Sequence, residues 1–177
     1  DILEERSWVA FYKGNFQGAL HYLREALKEK KIYLPETSFE LYASILWQII
    51  IRLVQSLLGE GKTTSVEKPK RSLRQNINQN IWWACLLVDI RYFAYFSLWT
   101  TNRFWARRKL SQELAISYFN MGQMFMGTPF RKLADSYFAK GLKVAEEIGD
   151  DHITMISYTL LAYKSETLGD YETELNY

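Results

Sequence analysis

The chain has 177 residues, 48% of them hydrophobic and 24% charged, a balance that excludes a disordered polymer and suits a globular fold. A net charge of +2 is too small to mark a general nucleic-acid binder, and a single cysteine, Cys85, rules out an internal disulfide framework and fits a cytoplasmic compartment. Three prolines and nine glycines against twelve Tyr, ten Phe and six Trp point to long helices packed through rings. The charge is unevenly spread: residues 60–110 carry ten Lys/Arg against Glu60, Glu67 and Asp89, whereas residues 111–177 hold five basic against ten acidic side chains. A basic middle and an acidic end suit head-to-tail packing or an acidic partner.

The first predicted element is a helical hairpin. Leu3, Ser7, Ala10 and Phe11 have helical spacing, and Gly14 can end that helix in a left-handed cap. Asn15 then caps a second helix whose apolar face is Phe16, Ala19, Leu20, Leu23, Ala26 and Leu27, with the small Ala19 and Ala26 allowing close approach. Pro35 closes this unit. Thr37 with Glu40 three residues on is a capping box that opens a helix from about Ser38 to Leu58. On it Phe39, Tyr42, Leu46, Ile49, Ile50, Leu53 and Leu57 form an apolar stripe, opposed by Glu40, Ser44, Gln48, Arg52 and Gln55. The length would span a bilayer, but Arg52 and the glutamines argue against lipid, so the expectation is a buried helix with one wet edge.

Residues 59–80 read as a basic linker, with Gly59, Gly61, Pro69 and five Lys/Arg. Gly59-Glu60-Gly61-Lys62-Thr63-Thr64 imitates the end of a phosphate-binding loop, but Ser56 stands at the leading glycine position and a helix, not a strand, precedes it. From Ile81 to Trp105 rings crowd together, and Arg103, Arg107, Arg108 and Lys109 follow around Trp105. These four cations with Trp105 are the candidate partner-binding residues. Together with Lys68, Lys70, Arg71 and Arg74 they also raise a nucleic-acid reading by phosphate contact and stacking, which the near-neutral total charge and the lack of a recognition motif oppose.

Ser111 caps the next predicted helix, which carries Leu114, Tyr118, Met121, Gly122 and Phe125. Thr128-Pro129 signals the start of another, with Ala134, Phe138 and Gly141, stopped by Gly149. Asp150 or Asp151 caps a further helix ending at Gly169. Tyr158, Leu161 and Ala162 repeat Tyr118, Met121 and Gly122 at a period of 40 residues. Residues 81–177 therefore read as repeats with the last one incomplete, residues 1–58 as an N-terminal hairpin plus apolar helix, and the chain as a piece of a larger protein.

The Tyr118–Gly141 pattern resembles a tetratricopeptide unit. With Gly14-Asn15-Phe16, Tyr22-Leu23-Arg24-Glu25-Ala26-Leu27 and Ala145-Glu146-Glu147-Ile148-Gly149-Asp150, the order of segments is similar to the helical C-terminal region of large signalling ATPases, including bicarbonate-responsive adenylyl cyclases and related bacterial regulators. The resemblance implies an all-α, right-handed solenoid of helical hairpins, acting as a protein-interaction scaffold or as a regulatory relay to a cyclase or P-loop ATPase module. The partners it implies are proteins, or other domains of the same polypeptide.

No residue constellation calls for chemistry. His21 and His152 are far apart, Cys85 beside Trp83 and Leu86 reads as a small core residue, and the acids Glu146, Glu147, Asp150 and Asp151 read as helix-end solvation and capping. The segment is expected to have no catalytic centre, cofactor or metal.

Overall fold

The computed structural model describes residues 2–29, 32–58, 65–66 and 89–169. Within them the protein is all-α. Its helices are α1 (Ile2–Tyr12), α2 (Phe16–Glu29), α3 (Ser38–Leu57), α4 (Ile90–Ala106), α5 (Gln112–Met126), α6 (Arg131–Ile148) and α7 (Asp151–Leu168). The one extended feature among the described residues is a two-residue parallel bridge of β1 (Ser65–Val66) and β2 (Lys109–Leu110). The contacts divide the described residues into two compact units, one of residues 2–49 and 89–96, the other of residues 50–58, 65–66 and 97–169.

In the first unit α1 and α2 form a hairpin for reasons visible in the sequence. Gly14 adopts a left-handed φ of 74°, and the Asn15 side chain accepts from the Gly18 amide at 2.9 Å, so one residue ends α1 and the next caps α2. Ala19 and Ala26 are fully buried. With no bulk at Ala19, the backbones come close enough for the Ser7 hydroxyl to donate to the Ala19 carbonyl at 3.0 Å. Glu40 accepts from the Glu36 and Thr37 amides while its own amide donates to Thr37 Oγ1 at 3.2 Å, the expected capping box at the start of α3. Those two backbone donors hold the Glu40 carboxyl below its ordinary range. The first turns of α4 complete the unit: Tyr92 donates to the Pro35 carbonyl at 2.9 Å and accepts from Arg24 at 2.7 Å, and Tyr95 donates to the Tyr33 carbonyl.

The second unit is built on the α5–α6 hairpin. Ser111 accepts from the Leu114 amide at 3.2 Å to open α5. Gly122 on α5 lies under the Phe138 ring and Gly141 on α6 lies under the Phe119 ring; a Cβ at either glycine would meet the ring at 2.8 Å. The hairpin is thus a reciprocal interlock of two glycines and two rings. α6 ends at Gly149 with φ 66°, and Asp150 caps α7 by accepting from Ile153 at 3.1 Å. Gln112 at the start of α5 donates to the other Asp150 oxygen, tying the two helix starts together. α7 sends Leu161 into the Phe119–Ala134–Phe138 cluster.

Two sequence expectations are corrected. Thr128 does not cap α6: its hydroxyl donates to the Phe125 carbonyl at 2.7 Å and accepts from the Phe130 amide, so it stabilises the turn and α6 opens two residues later than Pro129. The apolar stripe of α3 is not buried. Phe39 and Leu57 are 82% and 88% exposed, and Tyr42, Leu46, Ile49, Ile50 and Leu53 are also exposed, while Gln55 from the opposing line is only 8% exposed. The physical reason lies in the partners of the polar line. Arg52 donates to the Tyr137 hydroxyl at 3.1 Å and to Gln55, and Gln55 donates to the Asn102 carbonyl at 3.2 Å.

Two predictions follow from these contacts. Burial, with Tyr33 beside it, pushes the Tyr95 phenol from 10.0 up to about 12. The folded chain keeps a proton there that the unfolded chain gives up, so this group's stability contribution is full below about pH 10 and lost as pH rises towards about 12. Urea midpoints of the protein and of Tyr95→Phe across that window should therefore converge as pH rises; a constant gap would refute it. Gly122→Ala would normally gain about 1 kcal/mol in a helix interior. Here the added methyl meets Phe138, and overpacking of typically about 1–3 kcal/mol should leave the variant less stable. A rise in the midpoint of thermal unfolding would show that Phe138 moves aside freely.

Candidate functional site

The cations singled out in the sequence gather where α4 hands over to α5. Arg103 is in the last turn of α4, Arg107 and Arg108 form the turn that follows, and Lys109 is in β2; all four are exposed. Three of them rest on rings of their own helix. The Arg103 guanidinium lies 5.2 Å from the Trp99 ring centre, Arg107 5.0 Å from Phe104 and Arg108 5.6 Å from Trp105. The spacings are i,i+4 and i,i+3, those that place side chains together on a helix surface. Phe104 is buried and both indoles are half-buried, so each guanidinium covers a ring already seated in the protein. Among the described residues no carboxylate pairs with any of the four.

Cations at a helix C-terminus are favoured by the helix dipole, which accounts for Arg103 and in part Arg107. It does not account for Arg108, whose φ of 51° makes it the one non-glycine residue in the left-handed region among those described. The turn needs that conformation to bring the chain from α4 into the Lys109–Leu110 bridge. Glycine would adopt it without steric cost, and an arginine there is retained against the backbone's preference.

The repeat-signature residues occupy structural positions. Gly14 is at the exposed α1–α2 turn, and Ala19 and Ala26 are in the buried face of α2. Tyr118, Met121 and Gly122 are buried on α5, and Phe125 is half-buried and stacked on Tyr137 with ring centres 6.0 Å apart. Ala134, Phe138 and Gly141 are buried on α6. On α7, Leu161 is buried while Tyr158 and Ala162 are half-buried. Tyr158 and Ala162, with Asp151, Thr154, Met155 and Thr159, line an open groove of about 580 Å³ along α7.

The family models, the curated proteins and the solved structures compared with this chain contain no match to it.

Among the described residues no group of three His, Cys, Asp or Glu side chains could hold a metal ion, and no helix is long and apolar enough to cross a membrane. Cys85, the Gly59–Thr64 motif and the basic residues Lys68, Lys70, Arg71 and Arg74 lie outside the described residues. His21 is exposed on α2 beside Tyr22.

Sequence reasoning missed Arg52. Read as part of a wet edge, it donates to Tyr137 and lies over the Tyr118 and Tyr137 rings at 5.8 and 5.5 Å. It also named Trp105 without its companions Trp99 and Phe104, though the i,i+3 and i,i+4 spacing of ring and arginine was available to find them. The left-handed backbone at Arg108 sets a direct test. Arg108→Gly should be more stable than Arg108→Ala by about 1 kcal/mol in urea unfolding, the reverse of the usual helix-interior order. Equal stabilities would mean that the turn relaxes out of the left-handed region.

Proposed function

We propose that the chain is a helical-repeat scaffold that binds other proteins, a non-catalytic segment of a cytosolic signalling protein whose hairpins stack as a right-handed solenoid. The observation that carries this reading is the interlocked α5–α6 hairpin, followed by α7 with Tyr158, Leu161 and Ala162 forty residues after Tyr118, Met121 and Gly122. Units of this kind bury one helical face on a neighbour and leave the other for a partner. On α7 the exposed Met155 and Thr159 line a groove with Asp151, Thr154 and Ala162, a mixture of apolar and polar side chains of the kind protein docking surfaces use. The resemblance to signalling ATPases and adenylyl cyclases adds the relay of a signal to a catalytic module as the setting in which such a scaffold would act.

The test uses the α7 face, whose residues are exposed enough to change without breaking the core. The whole chain, immobilised in native extract, should retain specific protein partners when salt is raised from about 0.15 to 0.5 M. The double variant Met155→Glu, Thr159→Glu should lose them while remaining helical by circular dichroism. Retention unchanged in the variant, or no protein held at the higher salt, overturns the reading.

A further inference from the structure

We infer that the turn between α4 and α5 is a binding site for an acidic peptide segment, gripped by Arg103, Arg107 and Arg108 with Lys109 beside them. The inference rests on the scaffold reading and names the chemistry of one partner.

Four observations carry it. Three guanidinium groups and an ammonium crowd into seven residues, all exposed and none paired with a carboxylate among the described residues, a concentration of positive charge that a carboxylate-rich ligand would offset. Each arginine has its guanidinium carbon 5.0–5.6 Å from a ring centre, a cation–π contact that restricts its rotamers before any ligand arrives. A preset fork loses less entropy when it closes on a carboxylate, and a carboxylate accepts it through two parallel hydrogen bonds. Finally, Arg108 stands at a left-handed position that glycine would take more cheaply, the kind of local conflict between backbone and side chain that marks a residue kept for contact.

The same geometry decides between an acidic peptide and a nucleic acid. Single-stranded nucleic acid needs ring faces on which bases stack. Here Phe104 is buried, and Trp99 and Trp105 are half-buried with an arginine over each. The rings are used to hold the arginines, and the surface offered outward is that of the four exposed cations. A peptide with several Asp or Glu residues, in an extended form that lets successive carboxylates reach successive forks, meets that surface best.

Fluorescence anisotropy of the whole chain with a labelled glutamate-rich peptide of about twelve residues tests this. Three variants accompany the protein: the triple Arg→Lys at 103, 107 and 108, Arg108→Gly, and the quadruple replacement by Glu. The triple lysine variant keeps the charge but loses the planar fork, and its binding should weaken about five- to tenfold. Arg108→Gly should weaken binding about two- to fivefold although its backbone is unstrained. The Glu variant should show no binding, with helicity unchanged by circular dichroism in each case. Binding by the lysine variant as tight as by the protein overturns the inference, because charge alone then suffices. So does a labelled thymidine oligonucleotide that binds more tightly than the peptide, and so does the absence of peptide binding, which leaves the cluster a solvated helix end. These outcomes are separable from failure of the scaffold reading: that test changes only α7 and reads capture from extract, whereas this one changes only the α4–α5 turn and uses a defined peptide.

Discussion

The reciprocal seating of Phe138 against Gly122 and of Phe119 against Gly141 is the contact on which the second unit depends. A glycine in mid-helix is unfavourable by about 1 kcal/mol relative to alanine, so two of them facing each other's partner rings are justified only by the approach they permit. That approach brings Tyr118 to 6.1 Å and Phe125 to 6.0 Å from Tyr137, extending a ring ladder along the hairpin. The other helices of the unit attach to this ladder. α3 reaches it through Arg52 over Tyr118 and Tyr137, and α7 through Leu161 in the cluster and Lys164 over Phe138, with Lys164 also paired to Asp135 at 2.6 Å. α4 is held one step away, where the Thr101 hydroxyl donates to the Ser117 carbonyl at 3.1 Å. A methyl group at either glycine therefore displaces the ring to which the neighbours are fixed.

Two uses of arginine contrast among the described residues, and the difference is set by what the donors meet. Arg24 and Arg52 each lie over a tyrosine and donate to a tyrosine hydroxyl, at 2.7 and 3.1 Å. Their charge is spread over ring faces and neutral acceptors, and the side chains act as rigid struts inside a unit. Arg103, Arg107 and Arg108 also lie over rings, but no acceptor from the described protein meets their forks. A strut that donates to a tyrosine hydroxyl contributes to stability. An exposed arginine resting on a ring contributes a charge held in place, and the proposed peptide site is built from the second kind.

Much of the helical punctuation was legible in the sequence because it depends on one or two residues. Gly14-Asn15, Thr37 with Glu40, Ser111, Gly149-Asp150 and Gly169 each act locally, and each is where the chain turns or caps. The Thr128-Pro129 signal misled because a threonine hydroxyl can serve the preceding helix as readily as the following one; here it donates back to Phe125. The α3 stripe misled for a deeper reason. Periodicity gives the axis of an amphipathic helix but not which side the fold will use, and the assumption that apolar means inward fails when the polar side holds Arg52 and Gln55, whose partners lie on α4 and α6. Those partners, Asn102 and Tyr137, are 47 and 85 residues away, beyond any local pattern. The cation cluster was visible as a run of charge, but its stacking, the absence of a paired carboxylate among the described residues and the left-handed Arg108 are properties of the folded turn.

The placement of the candidate peptide site at a connection, away from the Gly–Phe interlock, has a mechanical consequence. Side chains in the interlock are fixed by close packing, where a change of one methyl is felt throughout the unit. Arg103, Arg107 and Arg108 are exposed and rest on rings of α4, so substitutions there leave the Gly–Phe interlock itself untouched. A scaffold that recognises acidic segments needs this separation, since the residues that set partner choice then vary without disturbing the frame that presents them. The turn is not merely a free loop, however. The β1–β2 bridge fixes the Lys109–Leu110 backbone, Ser111 caps α5 immediately after it, and the three rings beneath are seated in α4. The cations are therefore held at defined positions on a rigid turn, which is what allows a patch of exposed charge to discriminate by geometry as well as by sign.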